Sequence, residues 1–136
     1  MIVNFEKKIG SDFRLFLNNS SFQKNLRKVL KTKNNIYSFI TLIFPNINCK
    51  TKDVYAEVKN FSSPSKGYSL KKIKKKAFID IIKKDRNDLQ KIVEKRYPKV
   101  SLLLKSIKKQ EGCIFSRMTG SGSACYGVFK TKKTAE

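Results

Sequence analysis

Five small residues in succession, Thr119-Gly120-Ser121-Gly122-Ser123, lie between two short apolar runs near the end of the chain. The flanking runs, Ile114-Phe115 and Tyr126 to Phe129, have the composition of β-strands. Gly120 and Gly122 can both adopt positive φ, which allows successive backbone N–H groups to converge. A turn of this kind can hold an oxyanion, usually a phosphate, and the loop hydroxyls add further donors. A simple hairpin turn explains the same composition, so both interpretations stay open at this point.

The loop is neither of the two common glycine-rich nucleotide loops. A P-loop places Lys and then Ser or Thr directly after its last glycine, whereas Ser123 and Ala124 follow Gly122 in this chain. The dinucleotide-binding fingerprint requires a third glycine at the start of a helix. The sequence instead returns to a strand pattern after Gly122, so the loop does not match that fingerprint.

The chain is strongly basic, with 31 lysines and arginines against 10 acidic residues and a formal net charge of +21. A nucleic-acid or anionic-membrane partner would explain this charge. Nucleic-acid readout relies on arginine, however, and most of the basic residues are scattered lysines, apart from a cluster at Lys71 to Lys76. We therefore expect no nucleic-acid and no membrane partner. A small basic RNA-binding α/β domain remains the alternative of a different functional class.

Histidine is absent, and the three cysteines Cys49, Cys113 and Cys125 lack metal-ligand spacing. A nucleophilic mechanism that depends on histidine is therefore excluded within this chain, and we expect no metal site built from these residues. An odd number of thiols is typical of reduced cysteines in the cytoplasm. The longest apolar segment, Ile36 to Phe44, is too short to span a membrane.

The periodicity of the apolar residues predicts a sheet covered by helices. Ile36 to Phe44 predicts a buried strand that ends at Pro45, and residues 18–35 are interpreted as a turn followed by an irregular or helical piece. Residues 60–69 have the composition of a loop. After the strand, Thr51 fits the N-cap of a short helix, and Tyr55 on that helix could pack against the sheet.

Three further helices are predicted from the second half of the chain. Leu70 to Lys84 alternates lysine with apolar residues, as in a basic amphipathic helix. Asn87 or Asp88 fits the N-cap of the next helix, which extends to Tyr97. Pro98 suits the first turn of the last helix, and its apolar positions recur at helical spacing. These are Val100, Leu103, Leu104 and Ile107.

The segment Arg117 to Phe129 resembles the third conserved motif of the GHMP kinase superfamily. Gly10-Ser11-Asp12 resembles the family segment that carries the catalytic base, although Phe13-Arg14 replace the usual Val-Pro. Thr51 and Tyr55 match family positions that line a cytidine pocket. The resemblance implies an α+β fold: a C-terminal domain over residues 36–136, built as a two-layer α/β sandwich with an antiparallel sheet and truncated at its end. Residues 1–35 would be a remnant of the N-terminal domain.

The resemblance also implies a reaction, in which ATP with Mg²⁺ phosphorylates the 2-hydroxyl of 4-diphosphocytidyl-2-C-methyl-D-erythritol in non-mevalonate isoprenoid biosynthesis. Asp12 would then be the catalytic base, which orients the acceptor hydroxyl and takes its proton. The substrate-binding residues would be Thr51, Tyr55, Thr119, Gly120, Ser121, Gly122 and Ser123. Another GHMP kinase, of the homoserine or mevalonate type, is the alternative within the superfamily.

Two motifs of the superfamily do not occur in this sequence. One carries a lysine that assists catalysis, and the other is a Gly-Gly-Ser-Ser loop that holds the phosphates of ATP. We therefore expect the chain to be a fragment of a longer kinase. The missing N-terminal half would be its partner, and the fragment would show no kinase turnover alone.

Overall fold

The computed structural model of the chain describes Leu17 and residues 21–25, 28–31, 36–60 and 73–136. By its internal contacts the chain divides into two compact units, Met1–Ile36 with Pro64–Ala77 and Tyr37–Ser63 with Phe78–Glu136. The proposed base Asp12 lies outside the described residues, as does most of the loop predicted over residues 60–69. The domain boundary between residues 35 and 36 stays a prediction.

The described part of the first unit contains two paired strands. β1 (Ser21–Asn25) and β2 (Lys28–Lys31) run antiparallel, with an irregularity in register between Gln23 and Asn25. The interpretation of residues 18–35 as a turn and an irregular or helical piece is therefore wrong for these strands. Apolar residues in such a short segment fit either period, and antiparallel pairing satisfies backbone groups that a short isolated helix holds only marginally.

The second unit contains a three-stranded antiparallel sheet. Its strands are β3 (Phe39–Ile43), β4 (Cys113–Met118) and β5 (Cys125–Phe129), and their order β3-β5-β4 puts β5 in the centre. The strand predicted over residues 36–44 forms over Phe39–Ile43, but it is not buried as predicted: it lies at the edge of the sheet, and Phe39, Ile40 and Leu42 are 37%, 56% and 49% exposed. The predicted strands on both sides of the small-residue loop are confirmed. Because β4 and β5 are joined directly by that loop, the loop closes one end of the sheet.

Four helices accompany the strands in the described part of the chain: α1 (Thr51–Ala56), α2 (Lys75–Lys84), α3 (Gln90–Arg96) and α4 (Pro98–Lys109). Tyr97 separates α3 from α4 by its non-helical backbone, with φ −128° and ψ 80°. Pro98 begins α4 as predicted. None of the described helices has both the length and the apolar character needed to cross a membrane.

The side chains of β5 point alternately to the two faces of the sheet, so the core is divided between these faces. Cys125 and Phe129 face the layer formed by α3 and α4, where α1 adds Val54. The buried helical residues of this layer are Val54, Val93, Val100, Leu104 and Ile107. Helices packed on an antiparallel sheet form an α+β arrangement, which confirms the predicted fold class.

The second half of α2 covers part of the opposite face. Val128 and Phe115 pack there against Ile79 of α2. Arg117 on the same face donates hydrogen bonds to the carbonyls of Lys83, at 3.4 Å, and of Asp85. These bonds hold the end of α2 beside the strand that leads into the small-residue loop.

Two helix starts differ from the sequence interpretation. Lys50, with φ −68° and ψ 113°, takes the N-cap position of α1, so Thr51 is the first helical residue and not the cap. Leu89 takes the N-cap position of α3, so neither Asn87 nor Asp88 caps that helix. The Thr51 hydroxyl and the Asn87 Nδ2 group hydrogen-bond to residues of the loop between β4 and β5.

Burial of Cys125 makes the stability of the second unit depend on pH. The thiol is fully buried, and desolvation raises its pKa from 9.0 to about 11. Between these values the unfolded chain loses the thiol proton while the folded chain keeps it, so stability falls as pH rises. We expect the stability advantage of the unaltered chain over Cys125→Ala to shrink between about pH 8 and about pH 10.5, measured by urea unfolding. The rest of the sequence is common to both proteins, and a constant difference between them would contradict the prediction.

Candidate functional site

The loop between β4 and β5 is a tight turn with positive φ at both of its glycines. Met118 and Cys125 form the last strand pair, and the Thr119 N–H then donates to the Ala124 carbonyl at 2.9 Å. Gly120 and Gly122 have φ of 57° and 91°, so the predicted positive φ is confirmed at both. A turn thus forms in which the chain reverses within a few small residues.

Gly122 is enclosed, whereas Gly120 is open. A Cβ atom at Gly122 would lie 2.9 Å from the Met118 Sδ and 3.5 Å from the Cys49 Sγ, while a Cβ at Gly120 would have no neighbour within 4 Å. The two glycines therefore meet different demands. Both supply a left-handed backbone, and only Gly122 must also leave room for the groups beneath the loop.

The loop has backbone donors to offer to an anion. The amide of Thr119 is bonded within the turn, and the Gly122 N–H donates to the Thr119 carbonyl at 3.2 Å. In the described part of the chain, the amides of Gly120, Ser121 and Ser123 donate to no carbonyl. Successive backbone N–H groups in such a turn are suited to phosphate oxygens.

Thr51 and Ser121, which are 70 residues apart, are brought together by the fold. The Thr51 Oγ1 lies 2.8 Å from the Ser121 Oγ, a hydrogen bond in which either hydroxyl can donate. Ser123 is held from the same side, because its Oγ donates to the Ile47 carbonyl at 2.6 Å. The segment from β3 to α1 therefore supports one side of the loop.

Tyr55 lies one helical turn after Thr51, so the two residues share a face of α1. Its side chain is 54% exposed, whereas the neighbouring Val54 is completely buried. The interpretation that Tyr55 packs the helix onto the sheet is therefore wrong, because Val54 makes that contact. The exposed tyrosine ring is open to a planar ligand on the side of α1 that carries Thr51.

Asn87 supports the other side of the loop, a contact that sequence reasoning missed. Its Nδ2 donates to the carbonyls of Met118, at 3.0 Å, and Gly120, at 2.8 Å. The Gln90 Oε1 accepts the Met118 N–H at 3.0 Å. Asparagine before a helix is usually interpreted as a cap, a role that uses its side-chain oxygen. The only local signal for a second role is the side-chain NH₂ group, whose two N–H donors a cap does not use.

Ion pairs tie the helix that carries Thr51 and Tyr55 to α3. Arg96 in α3 lies 2.8 Å from a carboxylate oxygen of Glu57 and 3.5 Å from one of Asp53. A groove of about 480 Å³ lies beside these residues and includes none of the predicted site residues. Its lining consists of Ala56, Glu57, Lys59, Lys91, Ile92 and Lys95. The exposed ion pairs of Arg96 with Glu57 and Asp53 contribute little to stability, but they help to orient α1.

The Cys49 thiol lies beneath the loop, near Gly122. Burial raises its pKa, although the charge of Arg96 and a hydrogen bond with Ser123 act in the opposite direction. No three Asp, Glu or Cys side chains cluster as metal ligands among the residues that the structure describes. The side chains that hydrogen-bond to residues of the loop, Thr51 and Asn87, carry a hydroxyl and an amide group.

Comparison with known proteins assigns the chain to a family. The family description "GHMP kinases C terminal" matches residues 69–136, half of the chain, including the loop and both strands around it. A protein of Pelagibacter ubique strain HTCC1062, named 4-diphosphocytidyl-2-C-methyl-D-erythritol kinase, is 30% identical over 95% of this chain and 45% of its own length.

Two other relatives have the same name. The protein of Buchnera aphidicola subsp. Schizaphis graminum is 26% identical over 95% of this chain and 41% of its own length. The protein of Wolbachia pipientis wMel is 39% identical over 45% of this chain and 21% of its own length. The chain thus spans less than half the length of these relatives, and no solved structure matches it significantly. With half of its residues matching the C-terminal domain, the loop among them, the chain belongs to the GHMP kinase family.

Proposed function

We propose that the chain contributes the substrate-binding side of an ATP-dependent kinase that phosphorylates 4-diphosphocytidyl-2-C-methyl-D-erythritol on its 2-hydroxyl. The names of the relatives support this substrate, and membership of the GHMP kinase family supports phosphoryl transfer. The observation that carries the proposal is the hydrogen bond between Thr51 and Ser121. It joins the helix proposed to line a cytidine pocket to the loop proposed to bind phosphate.

The chemistry of the two sides suits the two parts of the ligand. The half-exposed ring of Tyr55 offers a face on which a cytosine can stack. The amides of Gly120, Ser121 and Ser123 offer donors to the diphosphate, and the hydroxyls of Thr119 and Ser121 can add to them. The Ser123 hydroxyl donates its proton to the Ile47 carbonyl, so Ser123 would contribute through its amide. The strongly basic surface would favour the approach of an anionic substrate.

Phosphoryl transfer depends mainly on positioning and on electrostatic stabilisation of the transferred group. In this proposal ATP supplies the γ-phosphoryl group, and Asp12 acts as the base by its match to the family segment. We propose that Mg²⁺ accompanies ATP, held largely by the nucleotide phosphates, as is usual for this ion. A cytoplasmic location suits an enzyme that uses ATP and is part of the same proposal.

The relatives also bear on the alternatives. All three relatives described above are named as kinases of the cytidine compound, which favours that substrate over homoserine or mevalonate. Membership of the GHMP kinase family favours a kinase over a small RNA-binding domain. The absence of nucleic-acid and membrane partners stays a prediction.

Replacing Tyr55 with alanine should weaken the binding of cytidine diphosphate by about fivefold to 150-fold, since stacking on an aromatic ring contributes about 1–3 kcal/mol per base. Tyr55→Phe keeps the ring and should bind like the unaltered chain. Tyr37 is 78% exposed and has no proposed role, so Tyr37→Ala is the matched control. Titration calorimetry measures all four proteins. Equal affinities of Tyr55→Ala and Tyr37→Ala would contradict the pocket.

A further inference from the structure

We propose that Asn87 is a positioning residue, whose side-chain amide holds the loop of residues 119–123 in its ligand-binding conformation. The inference about loop conformation stands on the hydrogen bonds alone. Its consequence for ligand affinity rests on the proposed function.

Asn87 forms hydrogen bonds through both ends of its side-chain amide and through its backbone carbonyl. Its Nδ2 group donates to the carbonyls of Met118 and Gly120, at 3.0 Å and 2.8 Å. Its Oδ1 accepts the N–H of Leu89 at 3.0 Å, and its backbone carbonyl accepts the N–H of Gln90 at 3.0 Å. The residue therefore links the start of α3 to both the last residue of β4 and the first glycine of the loop.

The chemistry of the amide makes asparagine specific at this position. Only a side chain with two N–H donors and an oxygen acceptor on one short stem can make these three contacts. Aspartate keeps an oxygen for the Leu89 N–H, but it would set a negative charge against the carbonyl oxygens of Met118 and Gly120. Asn87→Asp therefore removes the contacts to the loop while it leaves the turn before α3 intact.

Met118 is held on both sides of its peptide backbone. Asn87 binds its carbonyl, and the Gln90 Oε1 accepts its N–H at 3.0 Å. Gln90 is itself fixed, because its Nε2 donates to a Glu94 carboxylate oxygen at 2.6 Å. Since Gln90 remains in place when Asn87 changes, the loss should be confined to the loop beyond Met118 and should not spread into the sheet.

Amide hydrogen exchange, followed by nuclear magnetic resonance, tests the inference directly. The informative amides are those of Thr119 and Gly122, which are bonded within the loop. In Asn87→Asp we expect the hydrogens of these two amides to exchange at least about tenfold faster than in the unaltered chain, because two hydrogen bonds to the segment are lost. The Val93 amide, bonded to the Leu89 carbonyl in α3, should keep its protection, which a general loss of structure would not allow.

Asn60→Asp is the matched control, because Asn60 is an exposed asparagine and the substitution changes the charge in the same way. Unchanged protection of Thr119 and Gly122 in Asn87→Asp would overturn the inference. So would an equal increase in Asn60→Asp.

Cytidine diphosphate titration provides the second measurement. Asn87→Asp should bind the nucleotide about tenfold more weakly than Asn60→Asp, since a loosened loop must be ordered on binding. Faster exchange with unchanged affinity would overturn the link from Asn87 to the ligand. If the unaltered chain does not bind the nucleotide, the proposed function is contradicted, and the exchange comparison still decides whether Asn87 holds the loop.

Discussion

Replacing Leu104 with alanine is expected to lower the free energy of unfolding of the second unit by about 2–5 kcal/mol. The side chain is only 6% exposed and lies in the core between α4 and the sheet. Its removal leaves a cavity, because α3, β4 and β5, which contact α4, are fixed by their own contacts. Urea unfolding followed by circular dichroism measures the change, provided that the transition is two-state.

Leu102 offers the matched control on the same helix. It lies two residues before Leu104 and is 64% exposed, so Leu102→Ala should change the free energy of unfolding by less than about 0.5 kcal/mol. Equal losses from the two substitutions would mean that α4 does not face the sheet through Leu104. The core described for the second unit would then be wrong.

Gly122→Ala is expected to damage the loop more than any other single-methyl change in it. A left-handed backbone costs an alanine about 1–2 kcal/mol, and the added Cβ would also be forced against the Met118 Sδ at 2.9 Å. Overpacking of this kind costs about 1–3 kcal/mol more. Urea unfolding measures the loss of stability, and calorimetry with cytidine diphosphate should show binding reduced by about tenfold or more, since the loop must shift to accept the methyl group.

Gly120→Ala separates crowding from backbone strain. Gly120 also has positive φ, but its added Cβ would have no neighbour within 4 Å. Gly120→Ala should therefore lower the free energy of unfolding by about 1–2 kcal/mol, the cost of a left-handed backbone for alanine. Its affinity for the nucleotide should change less than that of Gly122→Ala. A larger loss at Gly120 than at Gly122 would contradict the described packing beneath the loop.

The parts of the fold that were predictable from sequence are those with a local cause. The apolar run of β3, the proline at the start of α4 and the helical spacing of Val100 and Leu104 all express backbone preferences within a few residues. The same holds for the loop, where two glycines between strand-like runs predict a tight turn with positive φ. Each of these features was confirmed.

The features that sequence reasoning missed depend on contacts between distant parts of the chain. Asn87 bonds to carbonyls 31 and 33 residues away, and Thr51 bonds to Ser121 across 70 residues. A local pattern cannot distinguish these partners from a helix cap, because the same side-chain groups serve both. The pairing of β1 with β2 was missed because a few apolar positions fit a helix as well as a strand.

Tyr55 shows how burial settles a choice that periodicity leaves open. In the sequence, Val54 and Tyr55 are adjacent apolar residues on one short helix, and either could contact the sheet. The structure buries Val54 and leaves more than half of Tyr55 exposed. Tyr55 was already a candidate for ligand contact by the family resemblance, and its exposure is the reason that it is chosen for the nucleotide test.

The central claim is that α1 and the loop of residues 119–123 together form a pocket for a cytidine diphosphate group. The most direct test is the same nucleotide titration on the unaltered chain, followed amide by amide with nuclear magnetic resonance. The claim predicts saturable shifts of the Gly120, Ser121 and Ser123 amides and of the Tyr55 ring. Shifts confined to the groove beside Lys59, Lys91 and Lys95, or no shifts at all, would contradict it.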